Sequence, residues 1–270
     1  MTNAPVLGQW PKAPLALVLA QIRFEPLLDI EAISKAFHES VESAFPRVQT
    51  SHRLPFFPIP GGAEASVPPN PQMVVFDFMN AGRTKAIRLE SNALTYSVTE
   101  YLKYEGHFEN EWGQAVEALS SLKRPFVTRM GLRYVDFILP TGGASPSDYV
   151  VPPLGQAMEI EGGQPKGQYS MVDYEMSQGA LRIQYFQQTG QPMLPPDLQG
   201  PLAPPVLTVD HVDDLTAILD TDRMMDVGNH FSHDEIMSSF SSMHSDLSGM
   251  FKRIITERAK KEWNPSTQGD

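Results

Sequence analysis

Two arginines flank a glycine in the stretch PFVTRMGLRYVDFILP, residues 125–140, in the middle of its apolar run. The stretch is typical of a β-strand, in which alternate side chains share a face. Arg129, Gly131 and Arg133 are therefore expected on one face of a sheet, and Tyr134 on the other. Guanidinium groups bind phosphate or carboxylate through paired hydrogen bonds. A glycine between them lets a ligand or another backbone approach closely.

Further arginines lie in other predicted strands, since Arg23 ends the first strand and Arg88 and Arg182 occupy later ones. If these strands are neighbours, the guanidinium groups form a cluster on the sheet face away from the helices. Such a cluster would bind a phosphate, a carboxylate or an acidic loop. The predicted ligand- or partner-binding residues are Arg23, Arg129, Gly131, Arg133 and Tyr134.

Ordinary charge pairing is the alternative explanation of the same arginines. On a half-exposed antiparallel sheet, oppositely charged side chains commonly pair across neighbouring strands. The sequence favours such pairing but leaves both explanations open. The carboxylates that it offers as partners are those of Asp77, Glu90, Glu100 and Asp136.

Histidines and carboxylates cluster at two places, and both clusters are candidates for binding a divalent cation. One is DHVDD, residues 210–214, and the other is HFSHDE, residues 230–235. Asp210 and His211 would point to opposite faces of a strand, which splits the first set. The carboxylates of the second set already suit the first turn of a helix. We therefore predict no metal site and no cofactor.

His244 lies in the middle of a predicted helix and is the remaining candidate for a general acid or base. No serine or carboxylate can be tied to it by spacing, and histidines in such positions more often hydrogen-bond within the fold. Phosphate-binding loops, dinucleotide fingerprints, nucleophile elbows and HExxH are absent from the sequence. We predict no catalytic residue, and the sequence leans against an enzyme.

The chain is acidic and contains no cysteine: 32 Asp and Glu against 21 Lys and Arg give a formal net charge of −11. This balance argues against direct coating of nucleic acid, which needs many clustered basic residues. The absence of cysteine removes disulfides, thiolate nucleophiles and cysteine-ligated zinc, and it fits a reducing compartment. The apolar run at residues 12–24 is too short to span a membrane and lacks a cleavage site. We expect a soluble, cytoplasmic protein.

The hydrophobic pattern predicts an α+β protein built mainly on antiparallel sheet. Residues 1–140 form an N-terminal α+β half with the order β-α-β-β-β-α-β, and its two helices pack on the sheet. Residues 141–167 are a connection rich in proline and glycine. Residues 168–270 form a C-terminal β-rich half that ends on a long helix. Whether the two halves are separate domains stays open.

The closing helix is predicted to begin at a capping box formed by Ser232 and Glu235. Its apolar residues alternate at four and three positions, a spacing close to that of a coiled coil. This stripe either packs on the sheet of its own chain or pairs with a partner helix in a homodimer. The stripe consists of Ile236, Phe240, Met243, Leu247, Met250 and Ile254.

Three segments form a combined pattern: PLALVLAQIRFEPLLDI, RMGLRYVDFI and EIMSSFSSMHSDLSGMFKRIIT. Together they resemble a sporadically distributed family of uncharacterised bacterial cytoplasmic proteins, with "PL..V...IRF.P", "R.GLRY.N.I" and "LH..I...F...I" motifs. Met243 stands where the family usually has Leu, and Asp136 where it often has Asn. The resemblance covers most of the chain and implies the order of elements, but it brings no known activity with it. The matching residues are Pro14, Leu15, Ile22, Arg23, Phe24, Arg129, Gly131, Leu132, Arg133, Tyr134, His244 and Phe251.

Two classes of function fit these observations. The first is a non-catalytic, acidic interaction protein, an adaptor or inhibitor in bacterial defence, counter-defence or a toxin–antitoxin pair. It would dock a protein partner through a sheet face or through Pro-rich loops such as residues 55–71. The alternative is a binding module or enzyme for an anionic small molecule or nucleotide that uses the arginine cluster.

Overall fold

The computed structural model describes residues 10, 12–53, 73–158, 160–163, 165–198, 200–202, 213–230 and 232–264. The predicted loop at residues 55–71, together with Asp210 and His211, lies outside the described residues. Within them the protein is an α+β fold built on one antiparallel sheet of nine strands. The strands are β1 Leu15–Phe24, β2 Arg47–Arg53, β3 Met73–Met79, β4 Lys85–Glu90, β5 Ala93–Val98, β6 Phe126–Ile138, β7 Gln168–Glu175, β8 Ala180–Thr189 and β9 Leu215–His230.

The strand order in the sheet is β2-β3-β4-β5-β1-β6-β9-β8-β7. Every pairing is antiparallel, as the sequence analysis expected, although only β3–β4, β4–β5 and β7–β8 are joined by short turns. The β7–β8 turn depends on Gly179, whose φ is +83° and where a Cβ would lie 2.2 Å from the carbonyl oxygen of Met224. An L-residue with a side chain cannot take that place without a shift of the backbone.

Three helices cover one face of the sheet: α1 Ile30–Val41, α2 Glu109–Leu122 and α4 His233–Ile254. A turn over Tyr104–Phe108, with non-helical backbone angles at Glu105 and Gly106, leads into α2. Each helix presents an apolar stripe to the sheet, as expected of core-facing helices. Fully buried aromatic side chains from all three meet in this core, among them Phe37, Trp112 and Phe240.

A second cluster continues this core towards the β6–β9–β8 part of the sheet. It is formed by the single-turn helix α3 Pro152–Gly155, the 3-10 turn Pro146–Tyr149 and α5 Glu257–Trp263. Tyr149 and Trp263 stack there with their ring centroids 5.5 Å apart. Among the described residues, the opposite face of the sheet carries a smaller buried apolar cluster, on which leucines of a segment after β8 pack.

The N-terminal half contains one strand more than the sequence predicted. β2 pairs with β3 at the edge of the sheet, so the order begins β-α-β-β-β-β-α-β. Its sequence, RVQTSHR, has no apolar alternation because most of its side chains face solvent on an edge strand. The expected order was therefore wrong at this position.

The C-terminal end also differs from the prediction. His230 ends the 16-residue strand β9 rather than beginning a helix. α4 is 22 residues long but does not close the described chain, since Ile255 bridges to Val150 and α5 follows. Ser232 takes the N-cap position of α4, yet its side chain makes no capping hydrogen bond, so the predicted capping box does not form.

The two predicted halves contribute to one sheet, because β6 pairs with β9 along most of its length. The alternative that the two halves are separate domains stays a prediction. The apolar stripe of α4 packs on the sheet of its own chain, with Phe240, Met243 and Leu247 fully buried. A homodimer would need a different surface and also stays a prediction. None of the helices among the described residues is long and apolar enough to cross a lipid bilayer.

Candidate functional site

The sheet face opposite α1, α2 and α4, here called the open face, carries the predicted arginines. Arg23 of β1 and Arg129, Gly131 and Arg133 of β6 all line a cavity of about 840 Å³ on this face. The alternation of side chains along β6 is as the sequence predicted. The structure therefore brings four of the five predicted binding residues together.

Residues 191–198 and 200–202, here called the strap, form the far wall of the cavity. The strap is anchored by leucines, since Leu194, Leu198 and Leu202 pack on an apolar cluster of the open face. Burial of such side chains stabilises the contact by about 1.5–3 kcal/mol each when it is complete. The strap thus converts an open sheet face into a cavity of the size that small-molecule sites have.

The guanidinium group of Arg133 forms ion pairs with carboxylates of its own chain. Its Nε and Nη2 lie 2.8 and 2.5 Å from the two carboxylate oxygens of Asp220, and its Nη1 lies 2.6 Å from Asp197 of the strap. The Arg133 side chain is 13% exposed and that of Asp220 is 3% exposed. Burial alone would lower the pKa of Arg133, but the ion pairs with Asp220 and Asp197 raise it above its usual value. Arg133 therefore has few free donors for a ligand.

Two more arginines are paired across neighbouring strands. Arg88 donates from Nε and Nη2 to the carboxylate of the buried Asp77, at 2.7 and 3.0 Å. Arg182 donates in the same manner to Asp173 at the exposed end of the sheet. Charge pairing thus explains these arginines, as the alternative hypothesis proposed, although Asp136 takes no part because it lies on the opposite face.

Arg23 and Arg129 form the exception. They are direct cross-strand partners in the β1–β6 register, so two positive charges face each other at one end of the cavity. Among the described residues Arg129 has one loose ion pair, with its Nε 3.6 Å from Asp226, and its side chain is 48% exposed. Arg23 is exposed as well. Arg23 donates from Nε to the amide oxygen of Gln21 at 2.9 Å, a neutral acceptor. Like charges placed directly opposite destabilise a sheet.

Carboxylates also line the cavity, which makes its charge mixed. Asp222 pairs in register with Arg133, and its Oδ1 would lie 3.9 Å from a Cβ placed on Gly131. Burial raises the pKa of Asp222 to about 6, although Arg133 opposes the shift. Space for that Cβ exists, because nothing lies closer to it than 3.9 Å. Packing of the chain itself therefore does not require a glycine at position 131.

Tyr134 lies on the other face of the sheet, apart from the four open-face residues. Its hydroxyl is hydrogen-bonded to His244 Nδ1 at 2.7 Å, and His244 stacks on Tyr104 with their ring centroids 4.1 Å apart. Burial lowers the pKa of His244, while the charges of Glu105 and Glu109 act against the shift. His244 is thus held inside the fold, and the predicted set of five residues belongs to two separate regions.

A small pocket of about 110 Å³ adjoins this tyrosine–histidine pair, here called the aromatic pocket. The sequence analysis did not single it out, although Asp136 offered a signal as a charged residue on the helix-facing side of a strand. The pocket is lined by five aromatic side chains, those of Trp10, Tyr101, Tyr104, Tyr134 and Phe251, and by Asp136.

Among the described residues, no group of three or more His, Asp or Glu side chains could hold a metal ion. The Nδ1 atom of His233 lies 3.2 Å from the carboxylate of its neighbour Asp234. Comparisons of the chain with models of protein families, with curated proteins and with solved structures find no match in any of the three.

Proposed function

We propose that the protein binds an anionic small molecule in the open-face cavity, with the anionic group held between Arg23 and Arg129. The observation that carries this proposal is their direct opposition across β1 and β6, with one carboxylate at 3.6 Å to offset two positive charges. A phosphate or carboxylate between two guanidinium groups would remove their repulsion and add charge-assisted hydrogen bonds.

The contrast with the other arginines supports the assignment. Arg88 and Arg133 line the same cavity, but each makes a two-pronged ion pair with a buried aspartate. Their guanidinium groups are neutralised by the chain. Among the described residues that line the cavity, the arginines of the opposed pair lack such a two-pronged carboxylate partner, so a ligand anion fits there best.

The remainder of the ligand would extend towards Gly131 and Asp222. The absent side chain at position 131 leaves room over the middle of the sheet, and the volume of about 840 Å³ suits a nucleotide-sized molecule. The Asp222 carboxyl accepts no hydrogen bond from the described residues, so it is free to accept one from a ligand hydroxyl or amine. A ligand with an anionic end and a polar body matches this arrangement.

Thermal unfolding at low ionic strength tests the proposal, with inorganic phosphate, succinate and adenosine monophosphate as probes and chloride as the reference anion. A site-specific ligand at one hundred times its Kd stabilises a protein by about 2.7 kcal/mol. We expect at least one probe to raise the Tm of the wild type. The rise should vanish in the double variant Arg23→Gln, Arg129→Gln.

Arg182→Gln is the matched control, because Arg182 lies on the same face but outside the cavity. This variant should respond to the probe as the wild type does. An equal loss of response in Arg182→Gln would mean that general surface charge, and not the opposed pair, attracts the anion. No response of the wild type to any of the three probes would count against the proposed ligand class.

A second function, docking of a protein partner, is favoured by the β7 edge. β7 pairs with β8 on one side only among the described residues, and its open-face side chains form an exposed apolar patch with Phe186. Tyr169, Met171 and Phe186 are 57%, 48% and 41% exposed. An exposed edge strand offers unpaired backbone groups to a strand of another protein. The net charge of −11 favours a basic partner.

Binding of a purified partner, first identified by affinity capture, would test this function. The double variant Tyr169→Lys, Met171→Lys should abolish binding, because it adds two charges to the apolar patch. Tyr174→Lys is the matched control, since Tyr174 is an exposed residue on the other face of the same strand. Unchanged binding by the double variant would exclude the β7 edge. Binding lost only in the Arg23, Arg129 variant would place the partner on the cavity instead.

A further inference from the structure

Asp136 is the most unusual polar group of the aromatic pocket. It lies in the middle of the sheet on the helix-facing side of β6, and the residue is 3% exposed. Its carboxyl group accepts no hydrogen bond and forms no ion pair with any described residue. Buried carboxyl groups nearly always have such a partner, because the loss of hydration costs several kcal/mol otherwise.

The walls around this carboxyl group are aromatic. Tyr101 and Tyr134 pack edge to face with centroids 6.0 Å apart, and Trp10 packs on Phe251 at 5.6 Å. Together with Tyr104 they enclose a volume of about 110 Å³. Since a cavity of about 150 Å³ holds one benzene molecule, the pocket has room for about four or five non-hydrogen atoms.

We propose that the aromatic pocket binds a small alkylammonium group, with the cation against the aromatic rings and the carboxylate of Asp136. Aromatic faces attract ammonium ions through their quadrupole, and this is the way in which proteins commonly recognise methylated ammonium groups. The carboxylate would gain the counter-ion that the described part of the chain does not supply. This site is on the opposite face of the sheet from the arginine cavity and does not depend on the function proposed for that cavity.

The other titratable groups at the pocket are compatible with a bound cation. Burial lowers the pKa of His244, so its imidazole carries no charge near neutral pH. Tyr101, Tyr104 and Tyr134 stay protonated because burial raises the pKa of each. Lys103 and Lys252 line the pocket but are exposed to solvent, and Glu105 adds a negative charge 3.7 Å from His244.

Calorimetric titration of the full chain with tetramethylammonium chloride at pH 9 tests the proposal. We expect saturable binding to the wild type. Sodium chloride at the same ionic strength is the control for charge screening, and tert-butanol is the control for apolar filling because it has a similar shape and no charge. Equal binding of tert-butanol would overturn the proposal, as would an absence of binding by tetramethylammonium.

The pH dependence of tetramethylammonium binding tests whether Asp136 is the residue that holds the cation. Burial, with a further contribution from Asp220, raises the pKa of Asp136 to about 8, so protons compete with the cation below that pH. The apparent affinity should fall about tenfold from pH 9 to pH 7. Burial lowers the pKa of His244 and raises the pKa of each of the three tyrosines, which moves all four away from the range between pH 7 and pH 9, so they do not contribute to this slope. A pH-independent affinity would contradict the proposal.

Two variants complete the test. Asp136→Asn keeps the shape of the side chain and removes its charge, so tetramethylammonium binding and its pH slope should both be lost. Glu105→Gln is the matched control at the pocket mouth; it should weaken binding by about threefold or less, since exposed charges interact weakly, and should keep the slope. Binding by Asp136→Asn that equals that of the wild type would refute the site. If that variant does not fold, the comparison with tert-butanol and the pH slope of the wild type still decide.

Discussion

The open-face cavity and the aromatic pocket lie on opposite faces of the same strand, β6, and they differ in how their charged side chains are paired. On the open face, most arginines are matched by a carboxylate of a neighbouring strand, and one opposed pair is left over. In the aromatic pocket the buried carboxyl group of Asp136 forms no ion pair with any described residue. The comparison teaches that residue type alone does not identify a binding group, because the charges that remain unneutralised are the ones available to a ligand.

The same lesson applies within β6. Arg129 and Arg133 are on the same face of one strand, yet Arg133 is held by two aspartates while Arg129 has one loose partner. Arg133 therefore has a structural role and Arg129 a binding role in our proposal. Five substitutions, four of charged residues and one of Gly131, test this division between neutralised and unneutralised charges.

Arg133→Ala should have the largest effect. It leaves the carboxylate of Asp220 buried without its counter-charge, which commonly costs about 3–5 kcal/mol of the free energy of unfolding. Denaturation by urea measures the change. Asp197→Ala removes the exposed partner of the same arginine and should cost about 1 kcal/mol or less. Equal effects of the two variants would show that Asp220 does not depend on Arg133.

Asp136→Asn should change how stability depends on pH. The pKa of Asp136 is about 8 in the folded protein and about 3.9 in an unfolded chain, so the folded protein binds one proton more between these values. The contribution of Asp136 to the free energy of unfolding is therefore fully present below about pH 4. It decreases as the pH rises to about 8. Relative to Asp136→Asn, the wild type should lose about 3 kcal/mol between pH 5 and pH 7.5.

Urea unfolding of both proteins across that pH range measures the difference. Asp222 and His244 also titrate differently in the folded protein, but both are unchanged in the variant and cancel in the comparison. A constant difference in stability across the range would mean that Asp136 is ionised in the folded protein, and that its carboxylate has a partner.

Gly131→Ala should stabilise the ligand-free protein by about 0.5–1 kcal/mol, because alanine loses less backbone entropy in a strand. The added methyl group meets nothing closer than 3.9 Å. It also fills part of the cavity floor, so an anion that stabilises the wild type should stabilise this variant less. Thermal unfolding with and without the anion gives both quantities. A loss of stability without ligand would show that the backbone packs more tightly there than the structure indicates.

Arg23→Gln should have the smallest effect on the free energy of unfolding, and it should stabilise the ligand-free protein. Removing one of two opposed positive charges should raise the free energy of unfolding by about 0.2–1 kcal/mol when no anion is bound. Added phosphate should reverse the order, so that the wild type becomes the more stable protein. Destabilisation without ligand would instead indicate that Arg23 already has a favourable partner.

The sequence predicted the sheet best where strands are buried. β1 and β6 have long apolar runs, because they lie in the middle of the sheet and most of their side chains are buried or half-buried. β2 was missed because an edge strand with exposed side chains carries no such pattern. The predicted capping box at Ser232 does not form. The spacing of Ser232 and Glu235 shows only that a capping hydrogen bond is possible, and the side chain of Ser232 makes none in the structure.

The candidate sites were predictable only in part. That Arg129, Gly131 and Arg133 share a face, and that Tyr134 does not, follows from the two-residue repeat of a strand. The sequence could not show that Arg133 pairs with Asp220 and Asp197, since these are 87 and 64 residues away along the chain. Asp136 was considered as a partner for the arginines, but its position in the strand sends it to the other face.

The sequence by itself determined which side chains of a strand lie on the same face, because that depends on the geometry of the extended backbone alone. Only the tertiary structure decided which charges are neutralised, since strand order and register bring together residues that are distant in the chain. Arg23 opposite Arg129, and Asp136 among aromatic rings, are consequences of that long-range order.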